Sequence, residues 1–346
     1  MTPLSKRNHH ERDDHIYMDR KSHVYFLDGQ PMRLSGTGLK AKFMPAFVQE
    51  DILKGMFQGR GKTYRNPREF AAHDTIYPGK NKKYQEMNRL QILDSWTSAA
   101  DLGTHIHDRI EGYLDNADKI WAAEDRATRL AVLRMGGCPK GMTGDEIRQG
   151  QGSESTRHDD VFEQFLKFED DWTTKQGWKV YRVEWMLWDE DLEMAGTADA
   201  VYRRKMADGK WEYCIVDWKR SAATLHAVGD WKNKTCLHPI QGIPNSKIGG
   251  YNIQVNMYAS VLRRCYGINV TKYCIVQFRA GMGSHLVFQA MADIRGLVED
   301  GLFGSWREYL KTMQQVEEWE EREGGLYDDL PGSSRPLRYG AADEYD

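Results

Sequence analysis

The chain has 346 residues, 40% of them hydrophobic and 29% charged, with 48 Lys and Arg set against 51 Asp and Glu. That composition suits one large domain or two small ones with a full hydrophobic core. No run is apolar enough for a membrane span, and the polar N-terminus does not read as a signal peptide. The net charge of −3 rules out an overall basic footprint, so any phosphate-binding surface has to be local.

Cys138, Cys214, Cys236, Cys265 and Cys274 are scattered, odd in number and without a CxxC spacing. They argue against a zinc ribbon or a cysteine-ligated iron–sulfur cluster and for reduced thiols in a soluble, intracellular protein.

In chain order, residues 1–20 are His-rich and polar and read as a disordered N-terminus. "HVYFLDGQPMRLSG" reads as a hairpin turning at Asp28-Gly29, because this dipeptide accepts the positive φ angles of a tight turn. A helical region follows, over about 40–175. It includes "GTHIHDRIEGYL", where Ile106, Ile110, Tyr113 and Leu114 share one face. His107 and Glu111 lie one turn apart at the edge of that face, and His105 projects to the polar side. Basic residues gather in "LKGMFQGRGKTYRNPREF" and "PGKNKKY", and residues 138–157 have the chemistry of an exposed loop. "VFEQFLKFEDDWTTKQG" has helical spacing and stops at Gly177.

Strands then dominate about 178–290: "KVYRVEWMLW", "MAGTADAVYRR", "WEYCIVDWK", and, after a poorly patterned connection over 221–250 and the helix "YNIQVNMYASVLRRCYG", "KYCIVQF" and "HLVFQ". A last helix and an acidic tail over 311–346 close the chain. Strands grouped between helices, without regular βαβ alternation, predict a mixed α/β fold with a central mixed sheet flanked by helices.

Three successive strands each carry an acid: Glu184, Asp199 and Asp217. Strands joined as hairpins pair side by side, so these carboxylates can converge, and convergent hard oxygen donors suit Mg²⁺ or Mn²⁺. Asp217 and Lys219 are two apart on one strand and share a face. A lysine there can polarise water or offset charge growing on a phosphate. Taken alone, the pair fits a strand-end ion pair better than a catalytic one, because the motif is short. His107 alone fits a half-buried core histidine, and Gln254 and Tyr258, one turn apart on an apolar helix, fit core packing with a polar handle.

In order, the chain holds GTxxHxxIE, a Glu-bearing strand, a G-T-x-D strand, a DxK strand and QxxxY on a helix. Together these resemble the PD-(D/E)XK nuclease superfamily in its RecB-like, lambda-exonuclease-like branch. The connection "HPIQGIPNSKIGGYNIQVNMY" and the opening "HVYFLDG" look most like nucleases of large DNA viruses and phages. The resemblance spans roughly residues 22–300 and implies a restriction-endonuclease-like core in one nuclease domain over 21–310. By the family's pattern His107, Asp199, Asp217 and the Trp218 carbonyl would hold Mg²⁺, with Mn²⁺ substituting. Lys219 would be catalytic alongside Asp217, Asp199 and Glu184, and Gln254, Tyr258, Glu111 and Arg220 would support the site or contact DNA. Asp217 stands where many relatives have Glu.

The function this implies is a metal-dependent DNA exonuclease for end processing in replication, recombination or repair. It would act on DNA with a free end or single-stranded part, with a replication or recombination protein as a further partner and no membrane. A structure-specific or single-strand endonuclease, and a non-catalytic DNA-binding or assembly subunit that kept the fold, are the alternatives.

Overall fold

The computed structural model describes residues 4–45, 49–58, 76–77, 79–80, 82–115, 159–221, 235–279, 286–289 and 293–323. The predicted loop at 138–157, much of the basic stretch within 53–70, part of the 221–250 connection and the tail beyond 323 lie outside them. The chain divides into two compact units, residues 1–45 with 106–345 and residues 46–105, where the sequence reading expected one domain over 21–310. In the smaller unit, Leu53 and Phe57 of one helix bury against Ile92, with Tyr77, Tyr84 and Trp96 packed around them.

The larger unit is built on a six-stranded sheet. Strands β5 (Lys179–Asp189), β6 (Met194–Lys205) and β7 (Trp211–Arg220) form an antiparallel meander, as their short polar connections predict. β8 (Val270–Phe278) lies parallel to β7, and β9 (Leu286–Gln289) is antiparallel to β8. A parallel neighbour requires a crossover, which the helix Lys247–Tyr266 supplies. That helix starts at the Ser246 cap, whose Oγ accepts from the Gly249 N–H, and stops at Gly267, whose φ of 66° ends it cheaply.

Both faces of the sheet are covered. On one side Trp185, Leu187, Ala198, Val201 and Ile215 pack with Ile253, Met257, Tyr258 and Val261 of the crossover helix. On the other, Ala200, Tyr202, Cys214, Val216 and Trp218 pack with Phe162, Phe165 and Phe168 of the helix Asp159–Glu169, and with Ile106, Ile110, Tyr113 and Leu114. These last four are the face predicted from the spacing in the helix Arg89–Asp115. The mixed α/β class, a sheet flanked by helices, is therefore as expected. Burial on both faces explains why Cys214–Trp218 is apolar without a break until Asp217. Among the described residues no helix is long and apolar enough to cross a membrane.

The predicted hairpin is present as β2 (Val24–Leu27) and β3 (Gln30–Pro31), with Asp28 at φ 47° and Gly29 at φ 81° forming the turn. Two elements depart from expectation. Residues 4–19, expected to be disordered, form a helix (Leu4–Arg7), a 3₁₀ turn (Glu11–Asp14) and β1 (Ile16–Asp19), which pairs with β2. The cause is tertiary. Asp13 accepts from Arg182 Nη1 at 2.6 Å and from Trp185 Nε1 at 2.8 Å, while the Arg12 guanidinium lies 3.3 Å from the centre of the Trp188 ring. The polar N-terminus thus satisfies buried donors on β5. The acidic tail expected from 311 begins instead as the last helix, Gly304–Glu323, which buries Trp306 and Val316.

The second edge of β6 is shared. β4 (Leu34–Ser35) pairs in parallel with Met194 and Ala195, and β7 pairs from Ala200 onward. Between them, Gly196 lets the Tyr258 ring approach: a Cβ on Gly196 would lie 2.6 Å from the Tyr258 hydroxyl, and one on Gly36 2.7 Å from its ring. Gly196→Ala is expected to lower stability by about 1–3 kcal/mol, the usual cost of overpacking a filled core. A urea denaturation midpoint indistinguishable from wild type would show that the ring can move aside.

Candidate active site

The site lies where β6 and β7 part. Their ladder runs from Lys205–Trp211 to Ala200–Val216 and goes no further. The backbone N–H and C=O of Trp218, two residues on, have no partner on β6, and side chains take its place. The Trp218 N–H donates to Asp199 Oδ2 at 2.7 Å, and the Trp218 carbonyl lies 3.0 Å from His107 Nε2. The indole of the same residue is 1% exposed and is gripped by Phe165, Phe168, Tyr202 and Phe278. The aromatic core therefore fixes the peptide that aligns the polar groups.

His107 Nδ1 lies 3.7 Å from Glu184 Oε1 and 3.7 Å from Asp199 Oδ2. One donor atom from each of His107, Glu184 and Asp199 falls within 4.8 Å of the others. Glu184 reaches this place at a backbone cost. Its φ is 39°, a left-handed conformation that side-chain-bearing residues avoid. The strand alternation breaks there: Val183 packs on one face of the sheet, and Trp185 on the other. Backbone strain of this kind costs about 1–3 kcal/mol and persists where surrounding contacts impose it.

Asp217 is not in that trio. Its buried Oδ2 lies 3.1 Å from Lys219 Nζ as an ion pair, and it accepts no aligned hydrogen bond. Lys219 also sits 5.0 Å from the centre of the Tyr251 ring. Burial pushes the Asp217 carboxyl up to about 6; Lys219 opposes this and Asp199 reinforces it. Burial likewise raises Asp199, against the pull of His107 and Lys219. For His107, burial alone would lower the pKa, but Asp199 and Glu184 outweigh it and push the imidazole up to about 9. In the doubly protonated ring, Nε2–H donates to the Trp218 carbonyl and Nδ1–H faces both carboxylates.

The remaining expected site residues are placed differently. Gln254 Oε1 accepts from Lys40 Nζ at 2.9 Å. Tyr258 is buried, its ring packed against Gly36 and Gly196. Glu111 lies one turn beyond His107 and 4.0 Å from Arg20. Arg220 ends β7, half-buried and paired in register with Phe278. His105 is exposed, as predicted. Two contacts were missed from sequence. Tyr251 shares a helix face with Gln254 and Tyr258 at i, i+3 and i+7, a signal that was legible. Lys40 carries none.

The donor set fits a hard divalent cation: two or three carboxylates and one imidazole, its far N–H held by a carbonyl in the manner of metal-ligating histidines. No protein-family model matches this chain, and no curated protein matches it.

The raised pKa of His107 has a defined sign. Between about 6.5 and about 9 the folded protein keeps a proton that the unfolded chain releases, so this contribution to stability falls as pH rises through that window. His107→Gln is expected to flatten the pH dependence of the urea midpoint between pH 6.5 and 9, measured in EDTA. An unchanged slope would mean that the imidazole is not charged there.

Proposed function

We propose that this chain is a metal-dependent deoxyribonuclease on a restriction-endonuclease-like core of the PD-(D/E)XK type, acting as an exonuclease on DNA ends in replication, recombination or repair. The observation that carries this reading is the gathering of His107, Glu184 and Asp199, donors within 4.8 Å, beside the buried Asp217–Lys219 pair. A structural ion pair explains Asp217 and Lys219 alone. It does not account for a second, adjoining group of carboxylates around an imidazole, or for the strained backbone that delivers Glu184 to it.

Glu184, Asp199 and His107 would hold Mg²⁺, or Mn²⁺ in its place, with the Asp217–Lys219 pair adjoining. Bound there, the cation would supply Lewis acidity toward a phosphate oxygen and a water of lowered pKa. Ligation needs the neutral imidazole, so binding would displace the His107 proton. The Trp218 carbonyl orients the ring through Nε2–H. Lys219, held by Asp217 and the Tyr251 ring, presents an ammonium to the non-bridging oxygen where charge builds during attack. Three strands and one helix carry these groups, which gives the positional accuracy that in-line displacement demands.

The test is cleavage of end-labelled linear DNA in Mg²⁺, with closed circular DNA alongside. Single nucleotides or short products from linear DNA, with the circle intact, are expected. Cutting of the circle would make the protein an endonuclease, and no cleavage of either would return it to a binding role. Lys219→Ala is expected to slow cleavage by about 10²–10⁴-fold, the scale of a lost electrostatic or acid–base group. His107→Ala should be comparably impaired, and His105→Ala should remain within a few-fold of wild type. A folded Lys219→Ala protein that degrades DNA at the wild-type rate would sink the assignment.

A further inference from the structure

The hairpin over residues 16–31 has two unlike faces. Ile16, Tyr25 and Leu27 turn inward onto the core. Tyr17 and Phe26, cross-strand partners in register, turn outward. Their rings stack at 5.0 Å between centroids and 5° between planes, and Tyr17 is 51% exposed. A cross-strand aromatic pair can stiffen a small sheet, and here it also leaves the Tyr17 ring open to solvent.

Two contacts tie this hairpin to the candidate site. On its inner face the Tyr25 hydroxyl lies 2.9 Å from Thr197 Oγ1, two residues before Asp199. At its tip Arg20 reaches to 4.0 Å from Glu111, one helical turn beyond His107. The tip is basic, with Arg20 and Lys21 both exposed. Its one carboxylate, Asp19, is turned inward onto the backbone N–H groups of Lys21 and Ser22 and the Ser22 hydroxyl. Those bonds hold Asp19 below the usual carboxylate range and fix the shape of the turn. A stacked ring pair with the Tyr17 ring exposed, and cations a few residues away, is a combination that can take up a single nucleic-acid strand: bases stack on the ring, and phosphates meet the cations.

We propose that the β1–β2 hairpin is a stacking platform for single-stranded nucleic acid, with Tyr17 and Phe26 holding a nucleobase and Arg20 and Lys21 the adjoining phosphates. The inference deepens the nuclease reading and rests on it for its biological sense. Its test is independent of cleavage.

The experiment uses the full chain and a short fluorescein-labelled oligodeoxythymidylate in EDTA, with fluorescence anisotropy as readout, and a second oligonucleotide bearing 2-aminopurine to report stacking. Tyr17→Ser and Phe26→Ser are expected to raise Kd by about 5- to 100-fold, the range for one lost base–aromatic stack, and to relieve 2-aminopurine quenching. Tyr17→Trp should bind at least as tightly as wild type. Arg20→Gln with Lys21→Gln should reduce the salt dependence of log Kd by about two contacts.

Thermal melts separate a structural role. Serine variants that melt lower yet bind the oligonucleotide with wild-type affinity when folded would overturn the platform. So would a wild-type protein that does not bind the oligonucleotide. The two proposals fail separately. Binding that depends on Tyr17 in a protein that never cleaves DNA refutes only the nuclease. Mg²⁺-dependent cleavage with oligonucleotide affinity indifferent to Tyr17 and Phe26 refutes only the platform.

Discussion

The peptide of Trp218 is the hinge on which the site turns. Up to Val216 its strand is held on both sides by backbone ladders, β6 on one and β8 on the other. Past Val216 the β6 ladder stops. A buried N–H and C=O left without partners would each cost on the order of 1–3 kcal/mol. Asp199 and His107 supply those partners, and in doing so they are brought to one place with defined orientations. The requirement to satisfy the backbone N–H and C=O of one residue thus assembles an acid and an imidazole. The indole beneath, locked among aromatic rings, keeps that peptide from drifting. A structural need and a candidate chemical apparatus share the same atoms.

Charge balance follows from this arrangement. Glu184, Asp199 and Asp217 are three carboxylates in a poorly hydrated place, and the imidazolium of His107 and the ammonium of Lys219 offset them only in part. Burial raises the carboxyl groups of Asp199 and Asp217, a neighbouring carboxylate adds to each, and the acidic neighbours raise the histidine. The strained Glu184 backbone adds to the cost. An arrangement optimised for stability alone would replace such a group with apolar residues of similar volume. Uncompensated negative charge on a rigid scaffold is what a bound divalent cation would relieve, and this physical tension supports the proposed chemistry.

Much of this was legible in the amino-acid order because it is recorded in local periodicity. The face of the helix that carries His107 follows from Ile106, Ile110, Tyr113 and Leu114, and this alone told His107 from His105. The period-two alternation of β7 put Asp217 and Lys219 on one side. Other placements were not legible. The sequence reading grouped Asp217 with His107 and Asp199, whereas Glu184 stands nearest to them and Asp217 turns to Lys219. A left-handed backbone at a glutamate has no sequence signature. Tyr258 was expected to support the site or contact DNA, with core packing as the plain alternative; its burial depends on Gly36 and Gly196, 222 and 62 residues away in the chain, each lacking a Cβ where the ring lies.

Sequence by itself determined the elements, their buried faces, the meander of three acid-bearing strands and the Asp28-Gly29 turn, because each depends on residues within a few positions of one another. Tertiary structure alone decided where β6 and β7 separate, which carboxylate meets His107, and that the polar N-terminus orders on Arg182, Trp185 and Trp188. These outcomes depend on pairing the unsatisfied donors of one segment with acceptors from another that only the fold brings beside it. The energy of such a pairing belongs to neither segment until the fold brings them together.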